Sequence, residues 1–307
     1  MSISLCMLVR DEVHTISACL DSAIPWVDEV HILDTGSTDG TQELLLSRYG
    51  IRAEEGLLDW SRCLCKQDLR NQLIETVKTD WILSLDADER LSTKGIPKFS
   101  SNASTIKVGG YFGAWTNHLG EAPPFADYKL FLFQRQFRMS GLIHENVQID
   151  IRKKGEHAEW LEGLEVQHFP EEGKRDFKHD LYLKRLACAI RHDPDWHRYQ
   201  WFLGYMHFQQ GNLASAEACL TVAAYTPSLF FPVEQLNSLM VLAAVHARQN
   251  KPADALKTLS AAYLHCEMCQ QDFEMRVNTS AKPWIDAAIN ALETGQFQNI
   301  TPYRFAC

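Results

Sequence analysis

Apolar runs and polar breaks alternate with a short period through the first half of the chain. Ile3 to Val9 is a continuous apolar run, which predicts a strand buried on both faces. Glu12 to Ala23 carries Val13, Ile16, Leu20 and Ala23 at helical spacing. Glu29 to Leu33 is a second apolar run, and it ends at Asp34. Thr41 to Tyr49 reads as a helix, and so does Lys66 to Val77, with Leu69, Leu73 and Ile74 on one face. Trp81 to Leu85 is a third apolar run, ending at Asp86. Strands and helices in alternation with short links predict a parallel α/β sheet. Ligands of such sheets gather outside the carboxyl ends of the strands. Asp34 and Asp86 both stand at such ends.

The pattern changes after Gly109. Tyr111 to Trp115 and Tyr128 to Phe133 read as strands, with Glu121-Ala122-Pro123-Pro124 as the loop between them. They are expected to complete the sheet and to wall off a second substrate. Beyond Pro170 the pattern is helical almost throughout. Trp201 to Tyr205 leads through Gln210-Gly211-Asn212 into Ala214 to Ala218, and Leu239 to Gln249 leads through Asn250-Lys251-Pro252 into Ala253 to Ala255. Superposing Ala216 on Ala255 gives a period of 39, longer than the tetratricopeptide period of about 34. The Ser228 to Pro232 stretch is expected to supply the difference. The expected organisation is an α/β domain over residues 1–172 and an all-α, tetratricopeptide-like domain over residues 173–307. A plain helical bundle is the alternative for the second.

Composition narrows the function classes. The formal net charge of -9 argues against nonspecific binding of nucleic acid or of an anionic membrane surface. No apolar run approaches the roughly 18 residues of a membrane-spanning helix, and the first residues lack the basic start and small-residue cleavage site of a secretory signal. Nine scattered cysteines, an odd number, read as reduced thiols of a cytoplasmic protein. Cys63-Leu64-Cys65 and Cys266-x-x-Cys269 with His265 invite a zinc site, but the loose spacing reads better as packing cysteines.

Two motifs carry candidate chemistry. Asp34-Thr35-Gly36-Ser37-Thr38-Asp39-Gly40-Thr41 passes from strand to helix. Gly36 and Gly40 permit positive φ, and Thr38 or Asp39 is placed to cap the helix. The same residues also suit a plain strand-to-helix turn. Asp86-Ala87-Asp88-Glu89 gathers three carboxylates at a strand end. Their mutual repulsion is relieved by a divalent cation, which can bridge to phosphate oxygens.

These residues, together with Ile3 to Glu12, Arg70-Asn71, Ile143-His144-Glu145 and Val166 to Phe169, resemble family 2 glycosyltransferases of the GT-A fold. The branch that is most similar includes lipopolysaccharide-core β-1,4-glucosyltransferases and the sublancin-type peptide S-glycosyltransferases, which carry helical repeats after the catalytic domain. Arg10-Asp11-Glu12 departs from the family's usual Lys-Asn-Glu but keeps a cation and the Glu.

The resemblance implies a nucleotide-diphosphosugar transferase, with roles for particular residues. Asp34 would accept a hydrogen bond from the uracil of a UDP-sugar. Val9, Glu12, Arg70, Asp86 and Ala87 would line the nucleotide. Asp88 would ligate Mn²⁺ or Mg²⁺, with Asp86, His144 and His168 as further ligand candidates. Glu145 leads as the base of an inverting reaction, and Asp127 and Glu89 are its rivals. The implied partners are a nucleotide-sugar donor and a peptide, protein or glycan acceptor, and a homodimer is compatible with an exposed repeat edge. Rival readings are a lipopolysaccharide-core or other glycan acceptor, a non-catalytic helical adaptor with a vestigial transferase domain, and a nucleotidyltransferase. Intact Asp34, Asp86 and Asp88 weigh against the adaptor. The lack of a Gly-rich basic loop after the first strand weighs against the nucleotidyltransferase.

Overall fold

A computed structural model describes residues 1–58, 65–99, 107–118, 120, 123–170, 175–194, 196–227, 231–269, 280–296 and 303. Cys63-Leu64, Glu121-Ala122 and Ser228 to Phe230 of the sequence reading lie outside these residues. The chain divides into two compact units, Met1–Asp176 and Phe177–Cys307.

The first unit is built on one eight-stranded sheet. In chain order the strands are β1 (Ile3–Val9), β2 (Glu29–Asp34), β3 (Glu54–Glu55), β4 (Trp81–Ser84), β5 (Glu89–Leu91), β6 (Val108–Asn117), β7 (Phe125–Gln134) and β8 (His157–His168). They lie side by side as β3-β2-β1-β4-β7-β6-β8-β5. Helices α1 (Ile16–Ala23), α2 (Thr41–Tyr49) and α3 (Lys66–Thr76) follow β1, β2 and β3, and the short α4 (Gln148–Lys153) precedes β8. All seven residues of β1 are buried, as its unbroken apolar run requires. Its neighbours β2 and β4 run parallel to it. The core gathers Leu5 and Met7 with Ile16 and Leu20 of α1, Ile32, Leu83 and Phe131.

The sheet is mixed, not wholly parallel. β7 runs antiparallel to β4 and β6, while β6 and β8 are parallel. The helix expected from Glu12 begins at Ile16, because Asp11 adopts φ 53 and residues 12–15 form a turn closed by Ile16 N–H on the Glu12 carbonyl.

Gly113 marks the tightest approach of β6 to β8. A Cβ there would fall 2.7 Å from the Leu164 carbonyl oxygen, at the irregularity between Phe112 and Ala114 in the β6–β8 register.

The second unit is helical. After α5 (Arg175–His192) come α6 (Arg198–Gln209), α7 (Leu213–Tyr225), α8 (Pro232–Arg248), α9 (Pro252–Cys269) and α10 (Ala281–Glu293). Successive helices from α6 to α10 pack on one another. The repeat is visible in how helices end. Gly211, Asn250 and Gly295 follow α6, α8 and α10 with φ of 77, 60 and 69. In each turn the next N–H, that of Asn212, Lys251 or Gln296, reaches back to the carbonyl of His207, His246 or Ala291. This is one left-handed C-terminal cap used three times. Buried Ala216 and Leu220 in α7 recur 39 positions later as Ala255 and Leu259 in α9.

The link expected to lengthen the period includes Ser228 to Phe230, which lie outside the described residues. α8 has 17 residues against 12 in α6. The zinc alternative is not borne out at Cys266 and Cys269, which are buried, while His265 Nε2 lies 2.7 Å from the Pro232 carbonyl oxygen.

Gly113→Ala tests the strand approach. It is expected to cost about 1–3 kcal/mol, because a backbone carbonyl cannot move aside as a side-chain tip can. Urea unfolding that matches the parent protein would show that β6 and β8 can separate freely there.

Candidate active site

The turn after β2 is built by three carboxylates. Thr35 N–H and Thr35 Oγ1 both donate to the Val9 carbonyl, which fixes the end of β2 against β1. Asp34, 1% exposed, then folds back on its own turn: Oδ1 accepts from Gly36 N–H and Ser37 N–H, each at 2.7 Å. Gly36 takes φ 101 to allow this. Asp34 Oδ2 is buried with no hydrogen-bond partner among the described residues. Asp11 accepts from Thr38 N–H at 2.7 Å, and its own N–H donates to Ser37 Oγ. Asp39 accepts from Thr41 N–H, at the first residue of α2, and from Val13 N–H, so it ties the two loops together, while Gly40 holds the N-cap position. Burial raises the Asp39 pKa, but these hydrogen bonds outweigh it and hold the carboxyl below its usual range. Glu12 lies in the same loop, its N–H on Thr41 Oγ1 and its Oε2 accepting from Thr15.

Beyond β4 the charges form an alternating chain. Arg70, on α3 and 9% exposed, donates Nε to Glu145 Oε1 and Nη2 to Asp86 Oδ1, both at 2.8 Å. Lys129 Nζ, from β7, reaches Asp86 Oδ2 at 2.9 Å and Glu89 Oε1 at 2.8 Å. Glu89 Oε2 accepts from Asp86 N–H at 2.8 Å. The order is thus Glu145, Arg70, Asp86, Lys129, Glu89, with every neighbour of opposite sign.

Burial raises the Asp86 pKa, but Lys129 and Arg70 overrule it and hold the group well below the carboxylate range. Burial likewise raises Glu145 and is outweighed by Arg70, then Lys66, so its pKa is lowered. Glu89 goes the other way: burial wins over the attraction of Lys129, and its pKa is raised. Asp86 remains 41% exposed, so the middle of the chain of charges is open to the crevice.

The third group comes from β-sheet register. β5 pairs with β8 so that Glu89 lies opposite His168, and Phe169 N–H donates to the Asp88 carbonyl. This brings His168 Nε2 to 3.3 Å from Asp88 Oδ2. Asn117 donates through Nδ2 to the Trp115 carbonyl and holds its Oδ1 2.8 Å from His168 Nδ1. A neutral His168 that donates from Nδ1 to Asn117 Oδ1 presents its Nε2 lone pair to the Asp88 carboxylate. Two lone pairs that close are stable with a proton or a cation between them. Trp115 stacks on His168 with centroids 4.8 Å apart.

The ligand set expected from sequence is narrowed by this geometry. Asp88 and His168 meet. Asp86 has both oxygens engaged by Arg70 and Lys129. Among the described residues no group of three His, Cys, Asp or Glu gathers as a metal cluster, so His144, in a loop at φ 52, does not join the pair. One carboxylate and one imidazole still fit Mn²⁺ or Mg²⁺ as a partial set, provided a ligand brings further oxygens. Arg70, expected beside a base or phosphate, is committed to Glu145 and Asp86. Glu145, expected as a base, is the anchor of Arg70. Glu89, its rival, is fully buried with both oxygens bonded. Val9 and Ala87 are buried at the ends of β1 and β4.

Sequence reading missed Lys129, Trp115 and Asn117. The signal for Lys129 was present: it is the single cation in the otherwise apolar Tyr128 to Phe133 strand.

Comparison with known proteins agrees with the fold. Residues 4–153 match the family model for glycosyl transferase family 2. That match lies within the first unit, and the mixed sheet followed by a helical unit is the α/β GT-A and all-α order expected from sequence. A TPR repeat-containing protein of Synechococcus elongatus is 44% identical over 91 residues, 29% of this chain and 21% of that protein. Glycosyltransferase SunS of Bacillus subtilis is 26% identical over 150 residues, 45% of this chain and 33% of SunS. The chain thus matches between about a fifth and a third of the length of these curated relatives.

Among solved structures, S. aureus TarS 1-349 in complex with UDP-GlcNAc is similar at 11% identity and a TM-score of 0.43, covering 100% of this chain and 94% of that one. Glucosyl-3-phosphoglycerate synthase from Mycobacterium tuberculosis, in complex with Mn²⁺ and UDP-glucose, is similar at 14% identity and a TM-score of 0.38, covering 61% and 79%. No helix of the described residues is long and apolar enough to cross a membrane.

The charge chain is testable without any substrate. Lys129→Met leaves the Glu89 carboxylate, 1% exposed, with no cation, and is expected to cost about 3–5 kcal/mol in urea unfolding. Adding Glu89→Gln should recover much of that loss. A Lys129→Met protein as stable as its parent would mean that the pair contributes nothing.

Proposed function

We propose that this protein is a metal-dependent, inverting glycosyltransferase that moves a hexose from a UDP-sugar to a peptide or protein side chain. The observation that carries the donor assignment is the buried, unpartnered Oδ2 of Asp34 at the carboxyl end of β2. An ionised carboxylate accepts hydrogen bonds and donates none. Uracil offers an N3–H donor, whereas adenine offers only an acceptor at N1. Guanine also has an N1–H, but its larger ring suits a turn this tight less well.

Asp88 and His168 would hold the metal, with the remaining positions left to diphosphate oxygens and water. A divalent cation there supplies positive charge where the departing diphosphate develops negative charge. This chain's own residues do the rest. Asp34 orients the base. The Arg70 and Lys129 cations fix Asp86, whose open side faces the crevice. Asn117 holds His168 in the tautomer that ligates. The peptide or protein acceptor is read from the helical repeats, since stacked helix pairs make extended surfaces that suit a polypeptide. The unpaired state of the described cysteines is in keeping with a reducing, cytoplasmic setting.

Isothermal titration with nucleotides tests the donor reading. Asp34→Asn keeps the acceptor for the Gly36 and Ser37 N–H groups but turns an amide N–H toward the uracil N3–H. UDP affinity should fall at least tenfold, about 1.4 kcal/mol, while CDP, whose N3 accepts, should lose less. Unchanged UDP affinity would remove Asp34 from the base site. Mn²⁺ should tighten UDP binding to the parent protein and not to Asp88→Ala. An equal gain in the variant would end the metal role of Asp88.

A further inference from the structure

Inverting transfer needs a group that takes the acceptor's proton, and neither carboxylate that sequence favoured is free to do so. Glu145 is tied to Arg70, and Glu89 is sealed between Lys129 and the Asp86 N–H. A third carboxylate shares their crevice. Asp127 lies on β7, two residues before Lys129 and on the same face of that strand. β4 and β7 are antiparallel. Across the sheet Asp127 is directly opposite Trp115, the ring that stacks on His168. Asp127 thus lies one step along the same strand face from Lys129, across from the ring that stacks on His168, the residue beside Asp88.

We propose that Asp127 is the general base of this site. The proposal rests on the glycosyltransferase reading given above. A lone pair of the acceptor oxygen or sulfur attacks the anomeric carbon. The bond from that carbon to the UDP oxygen breaks, and its electron pair leaves with UDP. The acceptor's proton passes to an Asp127 oxygen and then to solvent. When water is the acceptor, the products are free hexose, UDP and one proton.

The environment of Asp127 suits the task. Its side chain is half-buried, and Oδ1 accepts from its own strand's Tyr128 N–H at 2.8 Å. Burial pushes its pKa up to about 6, with that hydrogen bond opposing. A base is most useful when its pKa lies near the working pH. Among the described residues, the charged and titratable groups the site gathers on this side of the sheet are Lys129 on β7, His168 on β8, Asp86 and Asp88 on the turn after β4, Glu89 at the start of β5, and Arg70 and Glu145 beyond Asp86. The facing residue of β6 is the uncharged Trp115.

The test is hydrolysis of UDP-glucose and UDP-N-acetylglucosamine by the full chain with Mn²⁺, followed from pH 5 to 9, alongside UDP titration. In the parent protein kcat/KM should rise with pH through about 6 and then level. Asp127→Asn should lower kcat by 10²–10⁴-fold, abolish that rise and leave UDP affinity within twofold. Glu145→Gln should keep the rise. An Asp127→Asn protein with a tenth or more of parental kcat, or the same pH profile, would overturn the assignment. So would loss of the pH limb in Glu145→Gln alone, or a parent protein that binds UDP but hydrolyses neither sugar nucleotide. A parent protein that binds no UDP at all would instead overturn the transferase reading, and the base with it.

Discussion

Five charges in alternating order set the geometry on which the rest of the site depends. Each is costly to bury alone, by several kcal/mol even after local relaxation. Together they form a chain in which Arg70 and Lys129 each join two carboxylates, and both oxygens of Asp86 are taken. The chain links α3, the turn after β4, β7 and the loop before α4. It fixes the end of β4 while one side of Asp86 stays exposed. A single carboxylate with two cations could not do this, since the flanking Glu145 and Glu89 are what hold the cations in place.

The carboxylates consequently divide their labour by environment. Asp39 and Glu145 hold other residues. Asp34 spends one oxygen on its own turn, and the other is buried with no partner among the described residues. Asp88 faces a histidine whose lone pair is aimed by Asn117. Asp127 is outside the network of cations, and burial leaves it with a raised pKa where Asp86, between two cations, is lowered. Two Asp residues, one on either side of Lys129's reach, are thereby tuned in opposite directions by their surroundings.

Much of this was legible in the sequence, and what was not follows a physical pattern. β1, β2 and α2 match their apolar periodicity because local pattern and tertiary burial agree there. Asp34, Asp86 and Asp88 could be found because each stands at the end of an apolar run or just past it. The pairing of His168 with Asp88 depends on the register between the three-residue β5 and the twelve-residue β8, strands distant in sequence, and no local signal sets it. Lys129 could have been suspected as a lone cation in an apolar strand, but its two partners could not. Glu145 was found from its motif, but its pairing with Arg70 was not, because a motif shows that a carboxylate is present and not that a guanidinium holds it. In the helical unit, Gly211 and Asn250 marked the turns, because each takes the left-handed conformation that ends its helix.

The most direct test of the account is a crystal structure of the full chain with UDP and Mn²⁺. The account predicts uracil N3–H on Asp34 Oδ2, Mn²⁺ shared by Asp88, His168 and the diphosphate, and the chain from Glu145 to Glu89 unbroken. Uracil bound away from Asp34, or Mn²⁺ held by Asp86 after release from Arg70 and Lys129, would contradict it.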